Sequence, residues 1–465
     1  MASAITAPTY DPVNTANALA DKYVIARQQI LDAQTKETAA TMKGLNDLNS
    51  ALLSFQSSLS TLSGTGKSMY AQAATYSDTS FGSATASATA AAGTYSFFVK
   101  QLATASQVSY TGLTDNAGVA GTLNINMAGS LAFAVNLNAA DTDANGILST
   151  RELAAAINSA TGNTSMVTAS IVTTGATSEL VLTAKNTGAN TAITIDTSAV
   201  TGPSSLKAAN GDPTRVRTLA AAQDAEIRVG SETGTAITQA SNTFTNIDGV
   251  KMSFTKAQAS GSTPLTVTVG ADSAATVANV QAFVDAYNKL KAVLNKLTDA
   301  GDPATGAAAG AFAHDGGIRA LNDRLVSLLR PTTSGDTLAS FGIIATKEGT
   351  LELRTDRLQK QLALKPTGLD AIIGTASSST PTGIAGALDK FIKGWSNSTD
   401  GQIKKRKEAT TNQQDAITDR QAVLDQQHEA AYNRYLKQFT ALANLQGAMT
   451  NNLSMFDALF GNNKD

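Results

Sequence analysis

The stretch LNDLNSALLSFQSSLSTL, residues 45–62, decides the fold. Leu45, Leu48, Leu52, Phe55, Leu59 and Leu62 recur at alternating steps of three and four, the spacing of a helix that faces another helix along one seam. Upstream, Asp11 is a good N-cap and Pro12 suits the first helical position. From there Leu19, Tyr23, Ala26 and Ile30 carry the same period. The apolar seam lapses between Asp32 and Thr41, which predicts a hinge or break. At the far end of the chain Tyr435, Phe439, Leu442, Leu445, Met449, Leu453 and Phe456 repeat the pattern, and Leu424 and Ala431 extend it upstream. Neither amphipathic end is stable alone in water. Both stripes have coiled-coil spacing, so the ends are expected to pair in one stalk; the alternative is two independent helices packed on the middle domains.

The middle of the chain has a different period. From about residue 93 to 270 it is rich in Thr, Ser, Ala and Gly, and apolar residues alternate: Tyr95, Phe97 and Val99; Leu131, Phe133 and Val135; Leu180 and Leu182; Val250, Met252 and Phe254; Leu265, Val267 and Val269. Period two with one apolar face predicts half-buried antiparallel strands, with one short helix at about Thr150–Ser159. Helical spacing returns with Val277, Val280, Val284, Tyr287, Leu290, Leu294 and Leu297. A helix follows at about Gly317–Leu329, then short strands near 341–345 and 351–353, a helix at 356–364, and a Ser/Thr/Gly-rich loop at Thr375–Gly383. None of the nine prolines falls between 13 and 202 or after 381, which leaves both ends free to form long helices.

The expected fold class is therefore multidomain α+β. N- and C-terminal helices pair in a coiled-coil or helical-bundle stalk and leg, and two antiparallel β-rich head lobes are inserted between them. The expected domains are a terminal stalk (1–44 with 404–465), a helical leg with a small β element (45–92 with 272–403), a first head lobe (93–115 with 206–271) and an inserted lobe (116–205).

Composition narrows the function. With 35 basic and 37 acidic residues the chain has no long-range field to hold a polyanion, so nucleic acid is not an expected partner. The basic run at 404–407 reads as a solvated loop or helix end. Zero cysteines remove disulfides, thiolate metal sites and thiol nucleophiles, and suit a chain that moves from a reducing to an oxidising space. No run is long enough to insert into a membrane. Met1–Tyr10 reads as an unstructured start without the charged and apolar regions of a Sec signal peptide. No P-loop, Gly-x-Ser-x-Gly or HExxH pattern is present, so no enzyme is expected and no cofactor is required. His314 and His428 read as exposed, and Trp395 as a packing anchor.

Over nearly its whole length the chain resembles the bacterial flagellar filament cap family. The residues that carry the resemblance are the Leu45–Leu62 stripe, Ala91-Ala-Gly-Thr-Tyr95 with Val99-Lys-Gln-Leu-Ala103, Ala154–Asn158, Thr168–Val172, Leu180–Thr183, Ala282-Phe-Val-Asp-Ala-Tyr-Asn-Lys-Leu290 and Tyr435–Leu442. The Gly-rich start common in that family is replaced here by Ala7-Pro-Thr-Tyr-Asp-Pro12. The resemblance implies a secreted, extracellular protein at the flagellum tip. It would assemble with itself into a ring of five, promote the folding and insertion of exported flagellin, and prevent its leakage. It implies four further partners or roles: hook–filament junction proteins, the flagellar type III export apparatus, a cytosolic export chaperone, and in some relatives adhesion to host surfaces. The expected stalk and filament contacts are Leu19, Tyr23, Ala26, Ile30, Leu442, Leu445, Met449, Leu453 and Phe456; the chaperone would take Tyr435, Phe439, Leu442 and Met449. Stalk helices this polar are expected to be mobile in the free protein and to order on docking. The nearest rivals are a junction protein or flagellin itself; the Ala282–Leu290 stretch favours the cap.

One motif stands apart. Asp141-Thr-Asp143-Ala-Asn145-Gly-Ile147-Leu-Ser149-Thr-Arg-Glu152 satisfies the EF-hand loop pattern, with Gly146 at the sharp turn. A structural Ca²⁺ held by Asp141, Asp143, Asn145, Ile147, Ser149 and Glu152 is one expectation. The other is an ordinary turn in which Ser149 and Glu152 form a capping box for the next helix.

Overall fold

The computed structural model describes residues 11–174, 177–333, 335–376 and 379–460; the expected unstructured start, Met1–Tyr10, and residues 377–378 of the expected loop lie outside them. The chain forms two compact units. One is built from its two ends, up to Met69 and from Val277 onward, and the other is Tyr70–Thr276.

Helix α1, Pro12–Ser63, opens as expected, with the Asp11 carboxylate accepting from the Val13 amide at 2.9 Å. It runs 52 residues without a break, so the hinge expected between Asp32 and Thr41 is absent. Counting back in sevens from the buried Leu59, Leu52 and Leu45 gives Thr38, Leu31 and Val24, all buried. The seam is continuous, but a threonine stands where Leu or Val was sought. Its hydroxyl donates to the Gln34 carbonyl at 3.0 Å, which lets a β-branched polar residue pack as an apolar one would.

In the unit Tyr70–Thr276 every strand pairing among the described residues is antiparallel, and these residues form two apolar cores. The first lies between a five-stranded sheet (order Gln72–Tyr76, Leu265–Ala271, Gly93–Gln101, Ala225–Val229, Ala236–Gln239) and a three-stranded one (Thr243–Ile247, Val250–Phe254, Gly82–Ala86). Val99, Ile227, Val267, Phe244 and Phe254 fill it. The second core, around Leu123, Ile125, Phe133, Val135, Leu180 and Leu182, is closed by helix α2, Thr150–Ser159, through Ile157. Helix α3, Ser205–Asn210, adds Leu206. Three boundaries differ from the sequence reading. Strands within 70–92, assigned to the leg, lie in this unit; the strand Gln107–Leu113 packs with the second core because it pairs with Thr177–Ala184; and residues 206–220, assigned to the first head lobe, join the second core through α3 and through the strand Val216–Ala220, which pairs with Gln107–Leu113. Strand partners are chosen across the sheet, which local alternation does not encode.

The rest of the helical unit follows. Helix α4, Ser273–Thr298, belongs to it from Val277 on; α5 is Gly316–Ser327, α6 Thr355–Leu364, α7 Gly368–Ile373, α8 Gly383–Ser396 and α9 Gln402–Phe460. The Ala282–Leu290 stretch organises this unit. Phe283 and Tyr287 pack on Phe55 of α1, with ring centroids 6.4 and 6.0 Å apart. Asn288 exchanges two hydrogen bonds, 2.8 and 2.7 Å, with the backbone of Leu351 in the small hairpin Ile343–Ala345/Leu351–Leu353. The run 404–407 opens α9. Arg406 is not solvated as expected: it pairs with Asp315, the N-cap of α5, and lies over the Trp395 ring at 5.7 Å. The expected fold class holds: terminal helices pair around a chain rich in antiparallel sheet.

Candidate functional site

The two long helices form the candidate site. They run antiparallel. The Asp21 carboxylate meets His428 Nε2 at 2.8 Å, Arg27 Nη1 donates to Gln427 Oε1 at 2.6 Å, and Gln28 and Gln421 donate to each other at 3.0 and 2.8 Å. His428 is thus half-buried and engaged, where exposure was expected. Between these polar ties lies a thin apolar layer of Val24, Leu31, Ile417 and Leu424. Ala16, Ala20 and Ala431 extend it, and Thr38 and Thr410 are buried further along.

This pairing corrects the expected seam. Leu424 and Ala431 face inward as read. In α1, however, Ala16, Ala20, Val24 and Leu31 do the packing, while Tyr23, Ala26 and Ile30 point outward and Leu19 is half-buried. Tyr23 and Ile30 are 49% and 58% exposed. Two guanidiniums, Arg27 and Arg434, flank the Tyr23 ring at 5.8 and 6.0 Å. Pattern reading favours large side chains, whereas alanines share this seam with Val24 and Leu31. Steps of seven back from Leu45 reach Thr38, Leu31 and Val24, but not Ala20 and Ala16.

The register also limits the pairing. With Asp21 opposite His428 and Gln28 opposite Gln421, Pro12 stands level with about residue 437. Beyond that level α9 continues to Phe460, an overhang of roughly 34 Å at 1.5 Å per residue. On the overhang Leu442, Leu445, Met449, Leu453 and Phe456 are 41–60% exposed, while Tyr435 and Phe439, at its root, are half-buried. The C-terminal stripe was expected to pack on α1; α1 begins too late to reach it. The overhang is an amphipathic surface suited to another helix.

The 141–152 loop was the other candidate. Oxygens of Asp141, Asp143 and Glu152 lie within 4.8 Å of one another, and Gly146 takes φ +80° at the turn. Hydrogen bonds also close the loop. Asp141 accepts from Gly146 at 2.8 Å, Asn145 Oδ1 accepts from Ile147, and Glu152 takes the amides of Thr142 and Ser149 at 2.8 and 3.0 Å. The Ser149–Glu152 capping box is complete. These donors hold the Glu152 carboxyl down at about 2, Ser149 contributing most.

Among the described residues no helix is long and apolar enough to cross a membrane.

Comparison with known proteins agrees with this architecture. The family sequence models for Flagellar hook-associated protein 2 match at both ends, the N-terminus over residues 10–106 and the C-terminus over residues 222–451. The chain is 32% identical to the lateral flagellar hook-associated protein 2 of Vibrio parahaemolyticus, over 80% of this chain and 82% of that one. It is 30% identical to the B-type flagellar hook-associated protein 2 of Pseudomonas aeruginosa, over 91% and 90%. The crystal structure of the D1-D2-D3 domains of the Escherichia coli flagellar cap protein superposes with a TM-score of 0.62 at 27% identity, covering 79% of this chain and 99% of that one. The paired termini, the β-rich middle and these similarities place the chain in the flagellar hook-associated protein 2 family, the cap proteins of the flagellum.

Proposed function

We propose that this cap protein closes into a ring, of five copies as its family resemblance implies, that promotes folding and insertion of exported flagellin and prevents its loss. The observation that carries the reading is the register of α1 against α9. It commits both chain ends to one rod and leaves the last turns of α9, from Leu442 on, presenting apolar residues. A ring needs heterologous contacts that close, and a cap on a growing filament needs contacts that release. A narrow helical stripe meets the second need, because it engages a helix through few side chains at a time. In this reading Leu19, Tyr23, Ala26 and Ile30 on the outer face of α1, with Leu442, Leu445, Met449, Leu453 and Phe456 on α9, meet flagellin and the junction proteins. The face with Tyr435, Phe439, Leu442 and Met449 is first held by a cytosolic chaperone, before export through the flagellar type III apparatus.

The test is complementation of a cap-deletion strain with the quadruple variant L442S/L445S/M449S/L453S. These side chains are exposed, so the folded unit should melt as the parent does. The expected result is monomeric flagellin in the medium and short filaments. Normal filaments and motility with this variant would overturn the reading.

We further propose that the 141–152 loop binds Ca²⁺ weakly and structurally. The supporting observation is the convergence of three carboxylates beside a left-handed glycine. Glu152 must exchange its backbone donors for the ion, so affinity is on the order of 10⁻⁴–10⁻³ M, as in extracellular modules. Calorimetry with calcium should show saturable heat that D143A removes; no heat with the parent chain would end the proposal.

A further inference from the structure

A second surface of the helical unit has no part in the stalk. The facing sides of α5 and α8 enclose a groove of about 500 Å³ whose walls are Leu328, Phe391 and Trp395 and whose rim carries Arg324 and Lys390. The aromatic rings are half-buried, and the two cations are exposed.

Two features single it out. The first is charge. On α8 the neighbouring cation Lys393 is neutralised by Asp389 at 2.6 Å, and Asp315, the N-cap carboxylate of α5, is taken by Arg406 of α9. Among the described residues no carboxylate stands within ion-pair distance of Arg324 or Lys390. Neither has an acidic residue three or four positions away on its own helix, so their charge is left for something outside the chain. The second is Gly394. Glycine inside a helix costs roughly 1 kcal/mol relative to alanine unless packing requires it. Gly44 and Gly386 of this unit have such a reason: a Cβ on Gly44 would stand 2.9 Å from the Phe312 ring, and one on Gly386 would stand 2.6 Å from the Pro381 backbone. A Cβ on Gly394 would meet nothing within 4 Å, as would one on Gly447 in the α9 overhang. What the missing side chain provides is the open floor of the groove.

We propose that this groove docks an acidic amphipathic segment of a partner protein, its apolar side chain entering over Gly394 between Phe391 and Trp395 and its carboxylates meeting Arg324 and Lys390. Charge complementarity selects the partner's sign, and the aromatic walls select a peptide over a bare polyanion. Tight binding of a nucleic-acid or sulfated-glycan backbone draws on many more cations than two. The inference stands apart from the filament reading, since it uses neither stalk helix face.

Trp395 is the chain's only tryptophan, so tryptophan emission of the full-length protein reports on the groove. The probe is an acetylated, amidated amphipathic helix of Glu, Leu and Phe. Its comparators are the same peptide with Lys for Glu, polyglutamate, and heparin. The expected result is a saturable emission change with the acidic peptide alone. It should weaken about tenfold or more in the double variant Arg324→Glu/Lys390→Glu and in high salt. Gly394→Leu is the independent check: it gains helix propensity, keeps the melting temperature, and should abolish the response by filling the groove. Four outcomes overturn the proposal: no emission change, an equal response to the lysine peptide, heparin or polyglutamate binding as tightly, or a Gly394→Leu chain that binds like the parent.

Discussion

Gln28 and Gln421, 393 residues apart in sequence, donate a side-chain hydrogen bond to each other, at 3.0 and 2.8 Å, at the middle of the antiparallel pair α1–α9. A reciprocal amide pair fixes register in a way that an apolar layer of four residues does not: each Nε2 keeps the carboxylate four residues on in its own helix, Asp32 or Asp425, but a slip of one turn leaves both half-buried Oε1 atoms without their donor. Single replacements, Gln28→Leu or Gln421→Leu, should each weaken the stalk. The double variant should recover part of the loss, because no amide is then stranded. A coupling of about 1 kcal/mol is expected in a thermal double-mutant cycle; strict additivity would mean the pair does not set the register.

Gly44 lies inside α1, where alanine would ordinarily help the helix. Its Cβ position falls 2.9 Å from Cε2 of Phe312, a buried ring delivered by the segment that follows α4. Gly44→Ala should therefore destabilise the chain, by about 1–3 kcal/mol as overpacking does. In a Phe312→Ala background the same change should be neutral or stabilising, by up to roughly 1 kcal/mol of helix propensity. Melting of the four chains checks both signs.

How far the sequence showed this is clear from particular residues. The stripe Leu45–Leu62 was legible because large side chains keep the period where α1 meets the leg: Leu45, Leu48, Leu52, Phe55 and Leu59 are buried, and Leu62, at the helix end, is half-buried. Helix α2 was legible to its ends because the cap, Ser149, and its partner Glu152 are local signals. The seam from Ala16 to Thr38 was not, because alanines and a threonine share the packing with only Val24 and Leu31, while the conspicuous Tyr23 and Ile30 face outward. Helices α7 and α8 were hidden by the glycines and proline around their junction: Gly374 and Gly383 take φ +70° and +60° there, and a Cβ on Gly386 would stand 2.6 Å from the Pro381 backbone, arrangements that the helix pattern does not encode. Of the candidate site, the apolar overhang was visible as a stripe; that it overhangs depends on register, which only the partner helix defines.

The capping carboxylate makes an acid-limb prediction. The Glu152 carboxyl is held at about 2, below its ordinary 4.5, by the Ser149 and Thr142 donors. A depressed folded value means the carboxylate stabilises the fold above its unfolded value, and the contribution fades as pH falls from about 4.5 toward 2. In calcium-free buffer, α2 amides should lose protection across that window, and E152Q should flatten the change while lowering protection at neutral pH. Removing the other half of the box, Ser149→Ala, should cost about 1 kcal/mol at every pH where the helix is capped. Hydrogen exchange resolved to α2 separates this local effect from global unfolding.

Stability should also grade along α1. Its second half buries Leu45, Leu48, Leu52, Phe55 and Leu59 against a multi-helix body, whereas the first buries Ala16, Ala20, Val24 and Leu31 against one helix. Local opening is governed by buried apolar area, so the thin half opens at lower free energy. Amides of 14–35 and 411–460 should exchange well before those of 45–62 in the free protein, and should slow on incorporation into a filament cap. Uniform slow exchange along α1 in the free chain would show that the stalk is already rigid, and docking would then not be weakened by an ordering cost. Leu31→Ala tests the same point from the other side. It should accelerate exchange in both stalk helices, through the loss of its contacts with the Ile417–Leu424 layer, and leave residues 45–62 unchanged.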